Sequence, residues 1–215
     1  VKKIDMILTA HHSDDLVENF FIRLLRGSGL QGLISFQNKK TKIKKNSNIF
    51  VLRPLLNISK QELSYVTKNT FNFNIKDPSN ENDYYLRIKI RKLIDHLSKY
   101  GLNFEKFKLT LENLSKSNRA IDFYVKKNIK DNTNILNKNK SIIINDIFFN
   151  QPEEVAFRSL SKLIYNIGNK KTFTRGKKIL SLLNDINTNK NFRKKTLSGC
   201  ILEKVNKSII ISKEN

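Results

Sequence analysis

The apolar run Ile4-Asp-Met-Ile-Leu-Thr-Ala10 leads through His11, His12, Ser13, Asp14 and Asp15 directly into a helical pattern. No other feature constrains the fold as much. A short apolar strand that hands over through a polar turn to an amphipathic helix is the first half of a βαβ unit. Leu16, Val17, Phe20, Phe21, Leu24 and Leu25 recur at helical spacing. A helix is expected to begin near Asp14 or Asp15, with Asp15 and Glu18 at a capping-box-like spacing and Gly27-Ser-Gly29 as its stop. A parallel strand is normally covered on both sides. The chain opens on Val1 with nothing ahead of this strand, so the expectation is the C-terminal part of a longer α/β domain.

Further along, 39–48 reads as a charged loop and 49–56 as a strand closed by Pro54. Ser59-Lys-Gln-Glu62 is a clean capping box, opening a helix to about Asn69. Residues 71–83 read as a short strand and loop, and 84–99 as a helix on which Arg87 and Arg91 stand four apart. Beyond Tyr100-Gly101 the pattern predicts helices over 105–130, 153–167 and 175–184. A strand or hairpin is expected near 141–149, and a C-terminal β-hairpin turning at Val205-Asn-Lys207. The expected fold class is therefore α/β. Residues 1–99 form part of a Rossmann-like parallel-sheet domain, and 100–215 a mostly helical domain ending in a β-hairpin.

Composition narrows the function classes. One cysteine, Cys200, excludes a disulfide framework and a zinc cluster built on cysteines. No run is long and apolar enough for a membrane span, so a cytoplasmic protein without a membrane partner is expected. The net charge of +22 favours an anionic partner such as RNA. However, 32 lysines against 9 arginines, with 28 asparagines, also fit a general bias of composition.

In open α/β sheets, ligands sit beyond the carboxyl ends of the strands, where helix N-termini point. His11, His12, Asp14 and Asp15 fall at such a place. At 100° per residue, Asp15, Glu18 and Asn19 share a sector away from the Phe20/Leu24 stripe, and His11 sits just above it. This acceptor-rich patch suits a cationic group or a metal. The bland alternative is helix capping by the aspartates and packing of the histidines at a strand end. The spacing is not a zinc signature, and no metal ligands are assigned. A metal-dependent hydrolase built on His11, His12, Asp14 and Asp15 is a further alternative.

Three segments also resemble one family. Residues 9–33, TAHHSDDLVENFFIRLLRGSGLQGL, resemble the TAHHxDDQxET…LLRGSGxxGL signature of tRNA(Ile)-lysidine synthetases. RPLLNISKQEL (53–63) is similar to the family's RPLL…SKxEL segment, and IKDPSNENDYYLRIKIR (75–91) to its DPSN…RNxIR segment. The C-terminal TLSGCILEKVNKSIIISKE resembles the tail of one bacterial branch. The sequence departs from the pattern at Leu16, Asn19 and Ile88, where the family has glutamine, threonine and asparagine. The SGGxDS P-loop of the N-type ATP pyrophosphatase superfamily, with its adenine nucleotide α-hydrolase-like fold, is absent from this chain.

The resemblance implies an ATP- and Mg2+-dependent ligase. It would adenylate C2 of the wobble cytidine in a CAU-anticodon tRNA(Ile), then join free L-lysine there, changing decoding from methionine to isoleucine. It implies His11, Asp15 and Glu18 as the active-site face. Arg87 and Arg91 would contact phosphate or tRNA, Arg26 would shape the pocket rim, and the basic second domain would grip tRNA. A homodimer is compatible with it. Lacking the P-loop, the chain by itself is expected to be inactive. A non-catalytic basic RNA-binding module is the alternative. Thiolation enzymes of the same superfamily are disfavoured by the single Cys200.

Overall fold

A computed structural model describes residues 4–43, 48–72, 86–136, 141–168, 174–189 and 191–214. The chain forms two compact units, Val1–Asn118 and Arg119–Asn215.

In the first unit, β1 (Met6–Leu8) leads to α1 (Ser13–Leu25), α2 (Leu30–Ile34) and a single 3-10 turn at Ser35–Gln37. β2 (Lys40–Lys42), β3 (Phe50–Leu52), α3 (Lys60–Phe71), α4 (Leu86–Lys99) and α5 (Phe104–Asn132) follow. The sheet order is β1-β3-β2. β1 and β3 run parallel, with Met6 opposite Phe50 and Leu8 opposite Leu52. The helical crossover between them is the βαβ connection the opening residues predict.

Among the described residues β1 pairs with β3 alone, and Met6, Ile7 and Leu8 are exposed, as the expectation of a longer α/β domain implies. Two expectations change here. The charged stretch 39–48 is not all loop, because Lys40–Lys42 pairs antiparallel with β3. The ammonium of Lys40 lies 4.3 Å from the centre of the Phe50 ring, so a lysine-rich strand is held by cation–π contact and pairing rather than by an apolar face. Phe71 ends α3 instead of starting a strand, and Asn72 caps it in the left-handed conformation at φ 56°. The DPSN stretch lies outside the described residues.

The core of this unit joins Leu16 and Val17 of α1 to Ile34, Phe107 and Leu111. Phe20 meets Phe107 edge-on at 5.2 Å. Leu24 and Leu25, predicted on the buried stripe, are exposed, because the packed face of α1 ends at Phe21. The first part of α5 thus belongs to the first unit. The change of character at Tyr100-Gly101, where the second domain is expected to begin, precedes the division between units at Asn118, because Phe107 and Leu111 pack into the first unit's core.

The second unit holds the end of α5, then β4 (Thr133–Ile135), β5 (Ile142–Ile144), α6 (Glu153–Ile167) and α7 (Gly176–Thr188). β6 (Lys194–Leu197), β7 (Cys200–Val205) and β8 (Ser208–Lys213) complete it. The C-terminal hairpin β7–β8 turns at Asn206, φ 55°, and forms the centre of an antiparallel sheet of order β4-β5-β8-β7-β6. Leu160, Ile164, Ile179, Leu182, Leu202 and Ile211 are completely buried between sheet and helices.

Asparagine has a structural use in this unit. The Asn128 amide donates to Phe148 O and Ser159 Oγ, both at 3.2 Å. Asn132 donates to Asn128 Oδ1 at 2.8 Å, and Asn145 to Asn132 Oδ1 at 3.1 Å. Each buried amide is satisfied, which fixes the end of α5 against the loop after β5. Cys200 is buried, and loss of solvation pushes its thiol up to about 11, so it is a core residue rather than a nucleophile.

Candidate active site

The carboxyl ends of β1 and β3 carry the site. Thr9 donates its backbone N–H to Leu52 O at 2.9 Å and its hydroxyl to the same oxygen at 3.2 Å. His11 Nδ1 lies 2.9 Å from Thr9 Oγ1, and its ring meets Phe36 edge-on at 5.0 Å. The N-cap of α1 is His12, with Asp15 three residues on accepting the His12 N–H at 3.0 Å. The capping role read for an Asp15–Glu18 pair therefore moves back one turn, and Glu18 is released for another contact.

Two helix N-termini converge here. Ser13 N–H donates to Ile58 O at 2.9 Å, and Lys60 N–H to Asp14 Oδ1 at 3.4 Å. The predicted box at α3 is present: Ser59 Oγ accepts from Glu62 N–H at 3.2 Å, and Glu62 Oε2 accepts from Ser59 N–H at 2.7 Å. The Ser59 backbone donor, then its hydroxyl, lowers the Glu62 carboxyl below its ordinary value.

Between these ends and α4 opens a cavity of about 560 Å³, within the first unit. Its size falls within the about 300–1,000 Å³ typical of small-molecule sites. Five carboxylates line it, from Asp14, Glu18, Glu62, Asp95 and Glu105, against the two cations Lys60 and Arg91. Glu18 is 3% exposed. Its Oε1 accepts from Arg91 Nε at 2.5 Å, whereas its Oε2 is buried with no hydrogen-bond partner among the described residues. The Glu18 hydrogen bond raises the Arg91 guanidinium above its ordinary value against partial desolvation, and the charges of Glu18, Asp15 and Asp14 add to the effect.

Of the residues singled out in the sequence, Glu18 and Arg91 meet at this cavity. Asp15 lies within electrostatic reach of Arg91, and His11 stands at the strand end before α1; neither lines the cavity. Arg87 is exposed on α4 and does not line it either. Arg26 is the exposed C-cap of α1, at the far end of a helix about 20 Å long. The GSG turn lies at that same far end. Leu16 and Ile88, two departures from the family pattern, are buried apolar residues, while Asn19 accepts from Arg23 Nε at 2.7 Å. Sequence reading missed Asp95 and Glu105. Asp95 follows Arg91 by four on α4, a spacing that places both on one face. Glu105 opens α5 and carries no local signal. Among the described residues, no group of three or more histidines, cysteines or acids is placed to hold a metal ion. The hydrolase alternative thus finds no metal site among them.

Residues 1–97 match the PP-loop domain family. The chain is 34% identical to the tRNA(Ile)-lysidine synthase of Orientia tsutsugamushi (strain Boryong), over 97% of this chain and 47% of that protein. It is 31% identical to the tRNA(Ile)-lysidine synthase of Wolbachia pipientis wMel, over 99% of this chain and 48% of that protein. With that of Rickettsia typhi (strain ATCC VR-144 / Wilmington) it shares 32% identity, over 97% and 47%. The chain spans about half the length of these curated relatives. Residues 1–97 thus match the PP-loop domain family, and the chain along nearly its whole length is similar to about half of each of these tRNA(Ile)-lysidine synthases.

Proposed function

We propose that this chain carries the lysine-binding part of a tRNA(Ile)-lysidine synthase. The observation that carries the reading is the cavity lined by five carboxylates and two cations, whose wall includes Glu18, a carboxylate with one oxygen, Oε2, that is buried and has no hydrogen-bond partner among the described residues. Free lysine at neutral pH bears two ammonium groups and one carboxylate, and this lining is complementary to it in sign and in number of sites. A buried carboxylate oxygen without a donor is costly, and an ammonium donor removes that cost.

In the proposed reaction, the C2 oxygen of the wobble cytidine of a CAU-anticodon tRNA attacks the α-phosphorus of ATP, so that a C2–O–AMP linkage forms and pyrophosphate leaves. The lysine ε-amine attacks C2, the new C–N bond forms, the C–O bond to AMP breaks, and the amine proton passes to a base. Glu18, in the cavity wall, is the proposed group for orienting the amine, and His11 and Asp15, at the strand end and first turn of α1 outside the cavity lining, are proposed as the groups that take up its proton. Arg91 holds Glu18 in place, and Arg26 and Arg87 are proposed as tRNA phosphate contacts. The PP-loop match supports use of ATP. No residue pattern in this chain provides a phosphate cradle, so no phosphate or Mg2+ step is assigned to it. The cytoplasm and a homodimeric assembly belong to the same proposal; among the described residues no helix is long and apolar enough to cross a membrane. A purely RNA-gripping module leaves the acidic cavity without a purpose.

A protein of the relatives' full length containing this segment is expected to form lysidine from ATP, Mg2+, L-lysine and the CAU tRNA. Glu18→Gln is expected to lower its kcat/KM for lysine about a hundredfold, the scale of truncating one member of a buried hydrogen-bonded charge pair. Failure of the folded, full-length protein to form lysidine contradicts the reading.

A further inference from the structure

Outside the cavity, the most unusual surface lies on α5 in the second unit. Arg119, Phe123, Lys126 and Lys130 follow one another at intervals of four, three and four, so they share one face of the helix. Lys127 and Tyr124 flank that line. The opposite face is the one that packs, through Val125, Asn128 and Asn132. Phe123 is 63% and Tyr124 55% exposed, with their rings 5.5 Å apart and nearly perpendicular. Two adjacent aromatic side chains this exposed leave a large apolar surface in contact with water, which burial against a partner would relieve. Asp122, the acid nearest this line, is turned toward α6, where it stands 3.8 Å from Arg158 and 3.6 Å from Lys162. The cations of the line are therefore not neutralised by it.

We propose that this face of α5 binds unpaired RNA, with a base stacked on the Phe123 ring beside Tyr124 and the flanking phosphates on Arg119, Lys126, Lys127 and Lys130. Charge complementarity selects a polyanion. The aromatic pair within the line selects one that offers flat faces. Base stacking on exposed rings combined with a cationic track is how single strands are gripped without sequence readout. A duplex offers phosphates but keeps its base faces stacked within itself. The identification of the RNA as tRNA rests on the proposed function; the single-strand chemistry does not.

The test uses the whole 215-residue chain. Fluorescence anisotropy compares a labelled unstructured RNA of roughly a dozen nucleotides, within the usual range of single-strand site sizes, with an abasic oligomer of the same backbone length. Phe123→Ala is expected to weaken binding of the base-bearing RNA about tenfold, to leave the abasic oligomer unaffected, and to be rescued by Phe123→Trp. The double variant Lys126→Ala/Lys130→Ala is expected to weaken both and to reduce the slope of log affinity against log salt by about 1. Both sites are exposed, and circular dichroism checks that the variants keep their fold. Equal affinity of Phe123→Ala and the unmodified chain for the base-bearing RNA overturns the proposal. So does absence of RNA binding, or a concentration-dependent dimer in sedimentation that Phe123→Ala abolishes while RNA binding is unchanged. Lysine binding in the first unit does not involve Phe123, so failure here leaves the lysine reading standing, and the converse also holds.

Discussion

Arg91→Ala is expected to destabilise the first unit by about 2 kcal/mol, the scale of leaving a buried acceptor without its charged donor when that donor is itself partly exposed. The Glu18 carboxylate is almost completely buried, and its Oε1 loses the guanidinium donor while Oε2 already lacks one. An unpaired buried carboxylate is far costlier than a missing surface contact. Glu18→Gln/Arg91→Ala removes the stranded charge and is expected to recover more than half of the loss. Urea unfolding of the two single variants and the double variant gives the coupling directly. A loss below about 0.5 kcal/mol for Arg91→Ala, the range of ordinary surface changes, contradicts the buried pairing.

In the second unit, Gly168→Ala is expected to cost about 2–3 kcal/mol through overpacking against a backbone that cannot retreat. Gly168 caps α6. A methyl group there would run into the carbonyl oxygen of Ser198 and come within 3.1 Å of the buried Cys200 sulfur. Ser198 itself sits at φ 53° in the β6–β7 turn, so that turn has little room to adjust. Gly29→Ala serves as the contrast. Its added methyl meets nothing within 4 Å, and its φ of −70° suits any residue. It is expected to stay within about 0.5 kcal/mol of the parent. Thermal unfolding that shows equal effects for the two contradicts the packing of α6 on the β6–β7 turn.

The contrast between the two sites follows what local sequence encodes. α6 was legible to the residue, because Glu153–Ile167 has a strong apolar stripe and acids in its first turn. The Ser59–Glu62 box was legible because capping is a four-residue affair. The short strands were not. Lys40–Lys42 and Lys194–Leu197 look like solvated charge runs, and only pairing with β3 and β7 makes strands of them. The C-terminal hairpin and the strand near 141–149 are visible in the sequence, whereas the pairing of β5 with β8, which joins them into one sheet, links residues distant in sequence. At the site, helical counting put Glu18 on the polar sector of α1. Nothing local says that it is buried or that its partner is Arg91, 73 residues away.

The cavity beside Glu18 is proposed to receive free lysine. Titrating L-lysine into the chain by isothermal calorimetry tests it without tRNA or ATP. Saturable binding of one lysine per chain is expected. Norleucine, which has no ε-ammonium, is expected to bind at least about tenfold more weakly, the loss of one charge-assisted hydrogen bond, and Glu18→Gln is expected to weaken lysine comparably. Lysine and norleucine binding alike, or lysine binding unchanged by Glu18→Gln, would contradict the account.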